Sequence, residues 1–332
     1  MKLNSQLIRA LRLILAVASG SIFAHLIHLP MSSWVFITTS VVIFDQDTVG
    51  GTINRSFMRF FATFLGASIS LLCILLIKDH TWLIWSVVLV FSFIFAYLYI
   101  GKKQSYIGLL ASLTLAILLL GNKPPDFYTA IYRLTDICIG VTFALLSMLL
   151  FFPEYAMKRL PKLISALIQD SMHLIKSIEE LDDILLIRQQ IVTIEDNFIN
   201  NISKFNKALE ESSHELSGKR QSNLVESYRL SSIQARRIYR LIFVIFYYEF
   251  ENENINNLQI KQVLQSILTI MNQFNTDIEN EIVIKDTFIK LEQLIQEIPM
   301  PTVVKTMQHI KGELETLQSL LISSKQRMIL NH

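Results

Sequence analysis

Apolar residues run almost unbroken through six stretches in the first half of this 332-residue chain. In the second half they recur at every third or fourth position. The six stretches are residues 8–29, 31–44, 60–77, 81–100, 105–120 and 128–152. A bilayer core about 30 Å thick takes roughly 20 mostly apolar helical residues to cross, so each stretch is read as a transmembrane helix. The second is short and follows its neighbour closely through Pro30, which leaves its upper end open. The tight links at 78–80 and 102–104 make the helices they join antiparallel hairpins. From Pro161, a favoured first-turn residue, the pattern is helical to the end. Leu163, Leu167, Ile168, Ile175 and Ile178 keep one face apolar. Ile191, Ile194, Phe198, Ile202 and Phe205 repeat the pattern, and Leu264, Ile267, Met271 and Phe274 do so again. Breaks fall near Gly218, at 252–257, and at Pro299 and Pro301. The predicted fold class is all-α: a six-helix transmembrane bundle followed by a cytoplasmic antiparallel bundle of five or six helices.

Charge sharpens this division. Residues up to Glu154 hold ten of the 30 Lys and Arg and six of the 28 Asp and Glu, so the remainder of the chain is far denser in both. A step this large marks a domain boundary, giving a transmembrane domain at 1–154 and a cytoplasmic helical domain at 155–332. No face is rich enough in unpaired positive charge for nucleic-acid binding. Cys73 and Cys138 lie in separate apolar runs and read as small buried residues, without disulfide or zinc spacing. The seven histidines are scattered, and neither a metal site nor a cofactor is expected. The N-terminal Lys2, Arg9 and Arg12 followed by an apolar run resemble a signal peptide. That run is too long for a signal core and no small-x-small cleavage site follows it, so it reads as a retained first span. Flanking charges then orient the chain. With the N-terminus in the cytoplasm, Lys2, Arg9, Arg12, Arg55, Arg59, Lys102, Lys103, Lys158, Arg159 and Lys162 lie inside, and only Lys78 and Lys123 outside. An even number of spans places the C-terminal half in the cytoplasm too.

Several spans carry a stripe of small or polar residues at helical spacing. In the third it is Arg59, Thr63, Gly66, Ser70 and Cys73; in the sixth, Arg133, Asp136, Gly140, Ala144 and Ser147. Shorter versions are Arg12, Ala16 and Ser19 in the first and Ser105, Gly108 and Ser112 in the fifth. Close helix packing alone accounts for small residues in lipid. Arginine is different, because charge within a bilayer is costly and faces protein or water. Arg59, at the inner end of its predicted span, and Arg133, just inside the outer end of the sixth, are read as opposite ends of one polar path. Asp136 follows Arg133 at i+3 and is the expected orienting partner of its guanidinium. Guanidinium binds carboxylate in bidentate fashion and stays charged, so this lining suits organic anions. A purely structural Arg133–Asp136 ion pair stands beside that reading. The polar link at 45–55 holds Asp45 and Asp47, which read either as proton-coupling sites at the cytoplasmic mouth or, by preference, as solvated loop carboxylates. Its Gly50-Gly51 pair reads as a turn.

The run from Trp34 through Gln46-Asp47-Thr48-Val49-Gly50, then Arg59-x-x-x-Thr63-x-x-Gly66, resembles the fusaric acid resistance and aromatic acid exporter superfamily. Arg133-Leu134-x-Asp136-x-x-x-Gly140 and Phe151-Phe152-Pro153 are similar to that family's closing span. Plant aluminium-activated malate transporters look like distant relatives. The resemblance covers roughly residues 5–160. Ala62 stands where the family usually shows Gly before the Thr. The resemblance implies an inner-membrane exporter of organic, aromatic carboxylates, with Arg59, Arg133, Asp136 and Thr63 on the anion path. Since many members hold two membrane units and this chain one, it also implies a homodimer. The partners expected are thus the lipid bilayer, a small organic anion and a second copy of the chain. An anion channel with the same lining, and a non-transporting scaffold, remain as alternatives. No nucleophile elbow, metal-ligand spacing or clustered acid–base pair points to an enzyme. In the second half, residues 241–250 are apolar on all sides but half the length of a span, and read as the bundle's central helix. Arg236, Arg237 and Arg240 before them read as a solvated face or a contact for anionic headgroups.

Overall fold

The computed structural model describes residues 5–77, 80–121, 127–180, 184–215, 219–251, 258–276, 281–296, 298 and 301–329. The predicted outer-side lysines Lys78 and Lys123 lie outside them, as do the predicted breaks at Gly218, 252–257 and Pro299. The chain divides into two compact units, Met1–Ala156 and Met157–His332, and the regular elements among the described residues are all helices, without strands.

The first unit holds α1 (Ser5–Leu26), α2 (Ser33–Ile43), α3 (Val49–Ile77), α4 (Thr81–Tyr99), α5 (Ser105–Leu119) and α6 (Phe127–Leu150). Among the described residues, four are long and apolar enough to cross a membrane: those at Gln6–Leu26, Val49–Ile77, Thr81–Tyr99 and Tyr128–Leu150. The other two fall short of the six full spans expected. With 11 and 15 residues, α2 and α5 reach only about 16 and 22 Å at 1.5 Å per residue, less than the apolar core of a bilayer. In α2 the shortening has a visible cause at its N-terminal end. The first helix closes in a Schellman turn, with Leu29 N–H on the Ala24 carbonyl and His28 N–H on that of His25 at 3.1 Å each and His28 left-handed at φ 55°. Residues 27–32 then lead back before α2 starts.

The larger correction is at α3, which begins at Val49 and not at residue 60. Thr48 caps it, its hydroxyl accepting the Gly51 N–H at 3.1 Å, the N-cap geometry that satisfies an orphan donor. The Val49 N–H is taken by the Glu154 carbonyl at 2.9 Å. The Gly50-Gly51 pair is therefore a buried first helical turn and not a chain reversal. As a result Arg59 sits ten residues, about 15 Å, inside the helix.

Side-chain burial in this unit is inverted relative to a water-soluble core. Its exposed positions include Phe44, Leu76, Trp82 and Tyr97, whereas Arg12, Thr38, Thr52, Ser56, Arg59, Thr63, Arg133 and Asp136 are buried. Apolar exposure on this scale has no place in water; it suits lipid outside and polar packing within. The second unit has the ordinary arrangement. After a 3-10 turn at Ala156–Arg159 come α7 (Leu160–Glu180), α8 (Ile184–Glu215), α9 (Lys219–Glu251), α10 (Leu258–Thr276), α11 (Glu281–Gln296) and α12 (Pro301–Ile329). They share one core that includes Leu167, Ile175, Phe205, Leu224, Ile267 and Leu314. The apolar run at 241–250 is the last third of α9, with Ile242 and Ile245 in that core. Arg237 pairs with Glu313 at 3.3 Å and Arg236 Nε donates to the Ser232 carbonyl.

Candidate functional site

The polar interior of the first unit is built on α3 and α6, with α2 and α5 as walls. Small residues let these helices approach closely. A Cβ on Gly140 of α6 would lie 2.7 Å from Thr38 Cβ and 3.0 Å from the Val35 carbonyl of α2. Thr39 fastens the same crossing, its hydroxyl reaching the Val35 and Gly140 carbonyls at 2.8 and 3.1 Å. On the other side a Cβ on Gly66 of α3 would lie 2.7 Å from the Ala111 carbonyl of α5. At the end of α6, Arg12 of α1 is almost wholly buried and donates to the Phe151 carbonyl at 3.0 Å and to that of Phe152. Ser147 returns a bond to the Arg12 carbonyl at 3.0 Å. Arg12 thus caps the helix C-terminus, where carbonyls lack partners and the helix dipole favours a cation.

Ala67, Leu118 and Ala130 pack together and set the register of antiparallel α3 and α6. Counting away from that contact on both helices at 1.5 Å per residue brings Thr63 and Arg59 to about the level of Arg133 and Asp136. The two guanidinium groups are close enough for their charges to act on each other. They therefore belong to one buried cluster and do not mark the opposite ends of a path, because α3 starts earlier than its hydropathy indicates and carries Arg59 inward.

Within the cluster the expected Arg133–Asp136 ion pair is open. Arg133 instead lays its guanidinium over the Trp34 ring, 3.4 Å from the centroid. Asp136 is fully buried, and neither of its carboxylate oxygens has a hydrogen-bond partner. The Nε groups of Arg59 and Arg133 and the hydroxyls of Thr38 and Tyr106 are also buried without partners. Thr63 spends its proton on the Arg59 carbonyl at 3.0 Å, so it offers lone pairs and no donor to an anion. One turn before Arg59, Arg55 stacks on Tyr106 at 3.6 Å, and both arginines act electrostatically on that phenol. Arg55 and Tyr106 open onto a cavity of about 500 Å³ walled by Phe95, Tyr99, Ser105 and Ser112, within the usual range for a small-molecule pocket. The result is a series of guanidiniums, Arg55, Arg59 and Arg133, leading from a cavity into the interior and interleaved with two aromatic rings.

The carboxylates of the 45–55 segment stand apart from this cluster. Asp45 is exposed, and Asp47 pairs with Arg9 at 2.7 Å. Arg55, Tyr106, Trp34 and Thr38 are the site residues that sequence reasoning did not single out. The i,i+4 spacing of Arg55 and Arg59 could have placed both on one face; nothing in the sequence pairs Trp34 with Arg133 or Tyr106 with Arg55.

Residues 16–147 match the family described as fusaric acid resistance protein-like. The chain is also similar to an Escherichia coli (strain K12) protein described as inner membrane protein YeeA, with 29% identity over 143 residues, 42% of this chain. The chain spans 40% of that relative's length. The resemblance to the fusaric acid resistance family is thereby shown over residues 16–147.

Proposed function

We propose that this protein carries organic carboxylate anions across the inner membrane, outward from the cytoplasm, using the cluster of Arg59, Arg133 and Asp136. The observation that carries this reading is the charge balance. Two buried guanidiniums stand against one carboxylate, so the site holds a net positive charge with unused N–H donors in a medium where uncompensated charge is costly. An organic carboxylate supplies the missing counter-charge and accepts two N–H bonds from one guanidinium. The cavity at Arg55 and Tyr106 gives such an anion a first contact, and its walls of Phe95, Tyr99 and Tyr106 favour an aromatic ring beside the carboxylate. Asp45 and Asp47 contribute no buried charge to this route. Family resemblance supports a homodimer of these single membrane units. Flanking charges support cytoplasmic N- and C-termini.

Flux of radiolabelled aromatic and aliphatic carboxylates in proteoliposomes tests the reading, with Arg133→Gln and lipid-only vesicles beside the wild type. Gln keeps a polar side chain and removes the charge. Carboxylate flux that falls at least tenfold in folded Arg133→Gln is expected. Wild-type flux unaffected by the change returns Arg133 to a packing role. No flux from folded wild type favours a membrane-anchored scaffold.

A further inference from the structure

Asp136 lies near the middle of α6, fully buried, with both oxygens unpartnered. An ionised carboxylate in that state is strongly disfavoured. Three helices pack against α6. α3 brings Arg59, which faces the cluster, as well as Arg55, turned to Tyr106, and Cys73 farther along. α2 brings no titratable group. α1 brings Arg12, bonded to the Phe151 and Phe152 carbonyls, together with Arg9 and His25 near its ends. On α6 itself Arg133 is one turn away, held on Trp34. Among the described residues, Asp136 is thus the one negative charge facing two positive ones.

We propose that Asp136 is the binding site for a proton that crosses with each anion, so that the protein moves a carboxylate and a proton together. This rests on the anion-carrier reading above. With Asp136 ionised and no anion bound, the cluster of Arg59, Arg133 and Asp136 carries one net positive charge. Its i+3 spacing lets Arg133 swing from Trp34 to the Asp136 carboxylate in that state. A monocarboxylate arriving at the guanidiniums replaces Asp136 as their counter-charge. The displaced carboxylate then takes a proton from a hydronium ion in the water that admitted the anion: one O–H bond forms on Asp136, one breaks in the hydronium, and a water molecule is left. The sum is again one positive charge: two guanidiniums, one bound anion and a neutral Asp136. Anion binding therefore strengthens proton binding, and by linkage the proton strengthens anion binding by the same factor. Release on the other side reverses both steps. Since the loaded and empty clusters carry equal charge, the membrane potential does no net work over the cycle, and outward movement runs on the anion's own concentration difference across the membrane, set against the pH difference.

The test uses the full chain in proteoliposomes with an internal pH dye, a potassium–valinomycin potential, and radiolabelled benzoate, hydroxybenzoate and pyruvate as probes. Protein-free vesicles are subtracted for passage of the neutral acids through lipid. One proton is expected to enter with each anion, and accumulation is expected not to change when the potential is switched. Asp136→Asn keeps the shape and loses the proton site, so its cluster falls from two positive charges to one on anion binding. Its flux is expected to lose the proton and to follow the potential, by up to about fifty-fold in accumulation per 100 mV. Should that variant fail to fold, the wild-type proton count decides alone, and Asp136→Glu is expected to keep the coupling. Wild-type uptake that carries no proton and follows the potential overturns the inference while leaving the carrier intact. No flux of any probe from folded wild type overturns both.

Discussion

Gly140→Ala is the smallest perturbation that reaches the cluster without touching a charged group. The added Cβ would lie 2.7 Å from Thr38 Cβ, 2.9 Å from its Cγ2 and 3.0 Å from the Val35 carbonyl. Ordinary contact begins at 3.4 Å, so α2 and α6 must part by about 0.7 Å, and two of the three obstacles are a Cβ and a backbone oxygen that have no rotamer to escape into. Overpacking of this kind costs about 1–3 kcal/mol. The Thr39 hydrogen bond to the Gly140 carbonyl lies at the same crossing and lengthens with it. Because α2 carries Trp34 and α6 carries Arg133, the separation also loosens the 3.4 Å stack between them. Thermal unfolding in detergent is expected to shift down, and carboxylate flux in proteoliposomes to fall more than the loss of folded protein explains. Gly312→Ala in α12 is the control. Its Cβ would meet nothing within 4 Å, so the better helix propensity of Ala is expected to stabilise by about 0.5–1 kcal/mol. Gly140→Ala that melts and transports like the wild type would refute the close crossing and the reasoning built on it.

Arg12→Gln removes the guanidinium that caps α6 and leaves the Phe151 and Phe152 carbonyls short of donors; at about 1.5–3 kcal/mol per bond to a charged group, folded yield and melting temperature are expected to drop while the anion preference of the surviving protein stays unchanged. Trp34→Phe is expected to retain more flux than Trp34→Leu, since a phenyl face still attracts a guanidinium and an aliphatic side chain does not; equal flux from both would mean that the ring serves as packing alone. In the second unit, burial holds the Asp170 carboxyl above its ordinary value of 3.8, against the Asn201 hydrogen bond and the charges of His173 and Lys204. Folding therefore favours the protonated form, and this contribution to stability is fully present below pH 3.8 and is lost as pH rises through the folded value. Amide exchange of α7 and α8 is expected to show more protection in acid than at neutral pH, with a smaller difference in Asp170→Asn.

The helical class and most spans were legible because a period of 3.6 and unbroken apolar runs are local signals. The start of α3 was not. Asp47-Thr48-Val49-Gly50-Gly51 reads as a turn by composition, although Thr48 followed by a hydrophobic run also satisfies the pattern of an N-cap; the deciding bond, from Val49 to the Glu154 carbonyl, joins residues a hundred positions apart. That one boundary moved Arg59 from a headgroup position to the interior, and with it the geometry of the site. The stripes on α3 and α6 identified which faces are buried, but not that Ala67 and Ala130 share one buried cluster with Leu118, and register between helices is what brings Arg59 and Arg133 together. Arg12 illustrates the same limit. Its sequence context marks a flanking charge on the inner side, whereas its partners are carbonyls 139 and 140 positions later in the chain.

Stacking on aromatic rings answers a conflict that any anion carrier faces inside a membrane. A guanidinium held by hydrogen bonds to carboxylates is stable but has its donors occupied, so a substrate must compete for them. An isolated guanidinium keeps its donors free, at a desolvation cost that burial makes prohibitive. A ring face offers a third arrangement: the quadrupole attracts the charge perpendicular to the guanidinium plane, while all five N–H groups point outward in that plane and remain available. Arg133 over Trp34 and Arg55 over Tyr106 both take this form, and the Nε groups of both are buried without partners. On the proposed route the two stacked arginines flank Arg59, so an anion passed along it would meet an unspent Nε–H at each guanidinium. The same logic gives Asp136 its place. Among the described residues Asp136 is the carboxylate at i+3 from Arg133, and in the proposed cycle it would hold that guanidinium between turnovers and give it up on taking a proton.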